Sequence, residues 1–568
     1  MKQSKFKIKK TALVIVLLVL FVWGCHFTQE LLPADPKNTC GSVITTAEFN
    51  SWFVSGTASL NGAVNPANSI TFPNSPNCSF YKWSEQMFLW LTSPATGSYG
   101  SSGLVMTSPA FFDVSLPDPV THERTFLPHQ QGIIRPFNIR TAQRGLLDLP
   151  VMLERGTLNM LQVLPQNLSA AGNPVVLDSA GKQREIKSVK INEGNRPVFI
   201  DIDGKAIEGA KAFIDPQLQD KGLRLSEKLS KFEKFDKSRL VQKIIIDKKI
   251  FLLDAFGGLH ETEQGQSGGE VLMAQNHSLV YYSLTVNNVY MLYRTMQGPS
   301  VPANTAFPTT QANINNISAF ALAHNRSPII DSQALAIEIK SAWVEAKGLP
   351  DSNKFIRQKA EIPVYDTTNP NDWVPTGTKT VELAMVGMHV VGSTISHPEM
   401  LWATFENVSS TPAAAYNYTN TSNASVNVPQ QTSGFWVFCA TNAAAPFNEQ
   451  HIEMNGTHIV PFGGFPISPS NIRREMPFGK PGSDAGSNAE VISTNNAVRS
   501  KLDPADVRIN YIQTGTTWFI PNSTTEVGTN QLANTTMETF VQGSNCFSCH
   551  SGRTVDVSHI FPDTKPLF

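Results

Sequence analysis

The sequence predicts an α+β chain in which a large β-rich body carries a short helical C-terminal segment docked on it. Three observations predict this. Runs of β-branched residues broken by turn residues fill 170–290 and 381–408. The stretch "CSFYKWSEQMFLWLTSP" at 78–94 spaces its large apolar residues three to four apart, as a buried helix does, with Pro94 to close it. A Cys-x-x-Cys-His cluster at 546–550 has only 18 residues behind it, too few to enclose anything without help from the body.

The chain opens with "MKQSKFKIKKTALVIVLLVLFVWGC". Five lysines precede an unbroken apolar run from Ala12 to Gly24, the form of a secretory signal. The run is short for a membrane-spanning helix, which needs about 20 apolar residues. Its end, "VWGC", resembles the lipobox of bacterial lipoproteins, in which the cysteine is lipidated and becomes the mature N-terminus. Val22 and Gly24 suit that box, and Trp23 departs from the small residue usual there. Residues 1–24 are therefore read as a signal peptide and Cys25 as the lipidation site, against the alternative of an uncleaved anchor with an incidental cysteine. Either reading exports the remainder, to a bacterial periplasm or outer membrane.

Residues 25–77 read as tether and N-terminal loops. A mixed α/β first part of the body follows over 78–300, with a charged helical insertion at 215–250. Within it "LRLSEKLSKFEKFDKSRL" (223–240) places Leu225, Leu229, Phe232 and Phe235 on one helix face. A β-rich second part covers 301–527. In it 300–330 reads as loop, 385–395 and 400–408 as strands around His397-Pro398, 409–435 and 479–490 as loops, and "EQHIEMNGTHIV" as a hairpin about Asn455-Gly456. The terminal segment is 528–568. There "NQLANTTMETFVQGSN" fits a helix over 530–542 capped by Asn530.

The chain has 568 residues, more than the roughly 250–300 over which one core keeps growing. With 41% hydrophobic and 16% charged residues and a net charge of -1, it has no basic footprint for nucleic acid.

Cys546-x-x-Cys549-His550 is the attachment signature of c-type haem. Each thiol forms a thioether to one vinyl group, and the adjacent histidine is held where a ring nitrogen reaches the iron. A structural zinc site would need four ligands, usually in two pairs, and the sequence has no second C-x-x-C or H-x-x-x-H. The chain is thus expected to carry one covalent haem c, with Cys546, Cys549 and His550 binding it and His550 the proximal ligand. The full fold class is then an α+β, β-rich body with a C-terminal helical c-type haem segment docked on it. The last 18 residues hold no Met, so the sixth ligand must come from elsewhere or be absent. His389 in "VGMHVV" is placed first, ahead of His451, His458, Met454, Met537 and His559. Of the other cysteines, Cys40 and Cys78 are the local pair for a disulfide, with Cys439 left over; an exported protein permits such a bridge.

Several stretches taken in order, "WSEQMFLWLTSP", "VLMAQNHSLVYYSLTVNNVY", "IEIKSAWVEA", "VGMHVV" with "LWATFENV", "INYIQTGTTW" and "NTTMETFVQGSNCFSCH", resemble a group of large exported bacterial monohaem proteins described as cytochrome c family proteins. The resemblance runs across roughly residues 78–550 and implies one haem and an exported location. The family usually shows a histidine where this chain has Asn407, so no ligand is carried over to that position. Three functions are compatible with these features: one-electron transfer with an unknown redox partner, a haem-dependent oxidoreductase or peroxidase-like enzyme with an open iron site, and a surface binding or structural lipoprotein with a redox haem.

Overall fold

The computed structural model describes residues 31–568 except 74–76, 119–120, 122, 140–148, 150, 154–159, 165–166, 193–196, 215–236, 247–248, 261–269, 327, 480–483, 541, 544 and 551. Its centre is a ten-stranded sheet. The strands are β1 (Phe111–Val114), β2 (Phe126–Pro128), β3 (Arg135–Pro136), β4 (Tyr281–Asn287), β5 (Ile337–Glu345), β6 (Arg357–Asp366), β7 (Val374–Thr394), β8 (His397–Asn407), β9 (Tyr511–Phe519) and β10 (Glu526–Gly528). They run in the order β2-β1-β4-β5-β7-β8-β9-β10, with β6 also paired to β7 and to β3. All pairings are antiparallel except β3 with β6. The sheet draws strands from both sides of residue 300, so the two expected parts of the body share one frame.

The helices are α1 (Thr46–Trp52), α2 (Asn77–Leu91), α3 (Asn288–Met296), α4 (Gln311–Ala323), α5 (Ala485–Arg499) and the single turn α6 (Cys546–Cys549). One face of the sheet packs on α2, the helix expected from its aromatic spacing. Phe88 stacks on Phe405 of β8 at 4.4 Å, and Phe80 on Trp518 of β9 at 4.2 Å. Trp83 seats against Gly392, where an added Cβ would lie 2.9 Å from the indole. The opposite face is covered by α3, α4 and the C-terminal residues Phe547, Val555, Val557, Ile560 and Phe561. Smaller sheets lie outside this frame: a five-stranded one from 151–260, a three-stranded one from 175–201, one joining 270–271 to the hairpin 452–461, and the hairpin 416–428.

The structure corrects several expectations. The supposed tether is packed from Leu31 onward: Phe49 and Trp52 of α1 are core residues, and Cys40 is bonded to Cys78 as the sequence proposed. Of the charged insertion at 215–250, residues 215–236 lie outside the described residues, and the chain from Leu240 to Ile246 is strand. The presumed loop at 300–330 contains α4, capped by Thr310 and buried through Ile314, Ile317 and Ala321. The presumed loop at 409–435 contains the hairpin 416–428, and α5 begins within the presumed loop at 479–490. Residues 530–540 form bends, turns and irregular backbone rather than the expected helix. There Asn534 donates to the Phe405 carbonyl and accepts from Thr536, and Thr535 binds Glu406, so side chains that bond elsewhere displace the helical ladder.

Glu85 on α2 is buried, and burial pushes its carboxyl from an ordinary 4.5 up to about 8. The folded chain therefore holds a proton that the unfolded chain releases, and stability falls as pH rises from 4.5 to about 8. Glu85→Gln is expected to stabilise the protein more at pH 8 than at pH 5, read from urea unfolding at both. A gain independent of pH would show that Glu85 is ionised in the fold.

Candidate haem-attachment site

The Cys-x-x-Cys-His cluster forms the helical turn α6, closed by the His550 N–H donating to the Cys546 carbonyl at 2.9 Å. The Cys546 sulfur lies 3.9 Å from the Leu532 carbonyl oxygen. The side chain of Cys549 lies outside the described residues. Phe547 anchors the turn to the body, with its ring 4.0 Å from Phe519 and 6.2 Å from Trp402.

His550 rests on Trp402 of β8 at 4.2 Å between ring centres. Its Nδ1 lies 2.7 Å from the Val557 carbonyl oxygen. A carbonyl only accepts, so Nδ1 carries the proton and the lone pair of the neutral ring is on Nε2. Burial, aided by the neighbouring His559, holds the imidazole well below its ordinary pKa and so keeps it neutral. That tautomer and charge are what a metal-ligating histidine needs.

The Val557 carbonyl belongs to a strap, the 3₁₀ turn Val555–Val557, which is tied down at both ends. The Val555 N–H donates to Thr305 O at 2.9 Å. The Ser558 hydroxyl meets Tyr290 of α3 at 2.6 Å and Glu338 of β5 at 2.5 Å. Nearer the motif, Arg553 donates to the Ile520 and Ser523 carbonyls and faces the buried Glu399 at 3.5 Å.

The floor beneath is a polar stripe on the sheet. Register sets Lys340, His389 and Thr404 side by side on β5, β7 and β8, and Glu338, Val391 and Trp402 beside them. Strand alternation aims all six toward the C-terminal segment. His389 Nδ1 is 2.7 Å from the Thr404 hydroxyl and Nε2 is 3.1 Å from Glu538. Burial works to raise the Glu538 carboxyl, but His389, Lys340 and the Asn534 N–H outweigh it and hold it below the usual range. Glu338 is pushed up to about 7, chiefly by burial, while Ser558, Lys340, Arg124 and His389 pull the other way.

The structure brings His389 and His559 to this region and leaves the other sixth-ligand candidates elsewhere. Both nitrogens of His389 are engaged, so ligation would require it to give up Glu538. His559 is stacked on His550 at 4.1 Å, with 19° between the rings. In that position His559 packs along the face of the His550 ring. In the hairpin at 452–461 and just before it, His458 pairs with Asp372, His451 stacks on Phe465, and Met454 packs into the core on the α2 side. Met537 is buried in a third cluster. Cys439 is a buried thiol beside Asn471, pushed up to about 11 by burial.

Sequence reasoning missed Glu338, Lys340 and Trp402. The signal for the first two was present: "IEIK" puts two charges at alternate positions of an otherwise apolar strand.

Among the described residues, no three His, Cys, Asp or Glu side chains are grouped to hold a bare metal ion. No helix among them is long and apolar enough to cross a membrane. Cys25 and residues 1–24 lie outside the described residues. No family, curated protein or solved structure matches the chain.

Proposed function

We propose that this chain is an exported c-type cytochrome that transfers single electrons, with one haem attached through Cys546 and Cys549 and His550 as its proximal ligand. The observation that carries this reading is the state of His550. It is neutral, its Nδ1 proton is committed to Val557, and its lone pair is on Nε2. Haem bound there supplies a one-electron carrier. The residues of the chain hold and shield it: Val557 sets the tautomer, Trp402, Phe519 and Phe547 wall off water, and the strap keeps the ring in place. Lipidation at Cys25 and a location in a bacterial periplasm or outer membrane complete the proposal, with a redox protein as partner.

A second reading, a haem-dependent oxidoreductase or peroxidase-like enzyme with an open iron site, is favoured by one observation. His389 has its nitrogens held by Thr404 and Glu538 and would have to give up a partner to ligate, and His559 is stacked along the His550 ring.

Covalent attachment is tested on a denaturing gel stained for haem. The wild-type band keeps its stain, and Cys549→Ser weakens or abolishes it. Stain lost from the wild-type band on denaturation would refute the proposal. The optical spectrum with and without carbon monoxide separates the two readings: a six-coordinate low-spin haem indifferent to carbon monoxide supports transfer, and a high-spin haem that binds it supports catalysis.

A further inference from the structure

We propose that Glu338 is the proton partner of the site at His550: it holds the strap that fixes the imidazole, and it gains a proton when an electron enters there. This rests on the haem reading above.

Two routes connect Glu338 to the ring. The first is the strap. The Ser558 hydroxyl donates to the Glu338 carboxylate at 2.5 Å and accepts from the Tyr290 hydroxyl at 2.6 Å. The residue before it, Val557, receives the His550 Nδ1 proton, and the residue after it, His559, stacks on the His550 ring. One hydroxyl and one peptide unit therefore separate the carboxylate from the imidazole. The second route is the sheet. Glu338, Val391 and Trp402 are register neighbours, which puts Glu338 two strands, or about 10 Å, from Trp402, and Trp402 carries the His550 ring. At that range, in a half-buried setting, charges still feel one another.

The groups facing Glu338 leave its charge finely balanced. Lys340 on its own strand, Arg124 before β2 and His389 on β7 favour the carboxylate, and burial favours the acid. Glu538 stands behind His389 and offsets it. Tyr290, which shares the Ser558 hydroxyl with Glu338, also faces it. The resulting value near 7 lies where one added charge nearby decides the protonation state.

The step balances simply. An external one-electron donor is oxidised and the haem that His550 would hold is reduced, while one proton comes from solvent hydronium. An O–H bond of hydronium breaks as one forms on Glu338, and the net charge of the region is unchanged. Oxidation reverses it.

The test is the reduction potential of the full-length haem-loaded protein, titrated with redox mediators between about pH 6 and about pH 8. The expected result is a reduction equilibrium constant that falls with rising pH by up to tenfold per unit, about 59 mV for one electron. Glu338→Gln should be flat over this window and lie above wild type at the alkaline end, because the negative charge that favours the oxidised state is gone. His559→Gln should keep the slope, and His389→Gln should keep it with its window moved to higher pH, because a charge that favours the Glu338 carboxylate is gone. In wild type, the reduced-minus-oxidised infrared spectrum should gain a protonated carboxyl band that Glu338→Gln lacks. A flat wild-type profile in stain-positive protein, or a slope that survives Glu338→Gln, overturns the inference and leaves the haem reading standing. Absence of covalent haem from wild type overturns both.

Discussion

A peptide of residues 528–568 stays unfolded when separated from the rest of the chain. Its apolar side chains are buried against the body rather than one another. Phe547 packs on Trp402 and Phe519, and Phe561 on Tyr290 and Phe307. Its polar anchors are also in the body: Thr535 binds Glu406, Ser558 binds Glu338 and Tyr290, and Arg553 binds the Ile520 and Ser523 carbonyls. Chains of about 40 residues seldom bury enough surface to fold without a metal, disulfide or partner. The expected circular dichroism is that of a coil, with no cooperative melting. A peptide that melts cooperatively with dispersed proton resonances would show that the segment is a domain of its own.

Glu406→Gln lowers stability by about 3–5 kcal/mol, because it leaves the charge of Arg474 buried and uncompensated. Both side chains are almost fully enclosed, at 1% and 0% exposure, and Arg474 donates to Glu406 from Nε at 2.9 Å and from Nη2 at 2.5 Å. The same carboxylate accepts from the Thr535 N–H at 2.7 Å and the Thr535 hydroxyl at 2.9 Å. It therefore joins β8, the residues around 474 and the approach to α6. The measurement is the urea midpoint at unchanged slope. Combining it with Arg474→Met should recover much of the loss, since no unpaired charge then remains. A single-variant loss below about 1 kcal/mol would mean that water reaches Arg474 and screens it, as at a surface pair.

Local chemistry was legible in the sequence; long-range register was not. Spacing of Trp83, Met87, Phe88 and Trp90 marked α2, and Asn455-Gly456 marked the hairpin at 452–461. The break between β7 and β8 was read at His397-Pro398, but the turn falls at Ile395 and Ser396, and His397 and Pro398 already belong to β8. The helix expected at 530–542 failed because Asn534 and Thr535 spend their side chains on β8, a choice that depends on a strand more than a hundred positions earlier. Helix α4 went unread because its Asn-rich surface hid a short apolar stripe. The three parts of the motif were plain, but the floor under them was not. Glu338, His389 and Trp402 become neighbours only through the pairing of β5, β7 and β8, which no local pattern reports.

Strand β9 is buried along its whole length between β8 and β10, yet it is synthesised long after β8. Until Tyr511–Phe519 has emerged, β8 presents an open row of backbone donors and acceptors along an almost wholly buried strand that includes Trp402 and Phe405. Such an edge is a template for pairing with another chain. A growing chain, or one cut short before residue 511, therefore carries a sticky seam that only its own late residues can close. The position of β9 thus makes synthesis through residue 519 a condition of closing that edge, quite apart from anything the last residues bind.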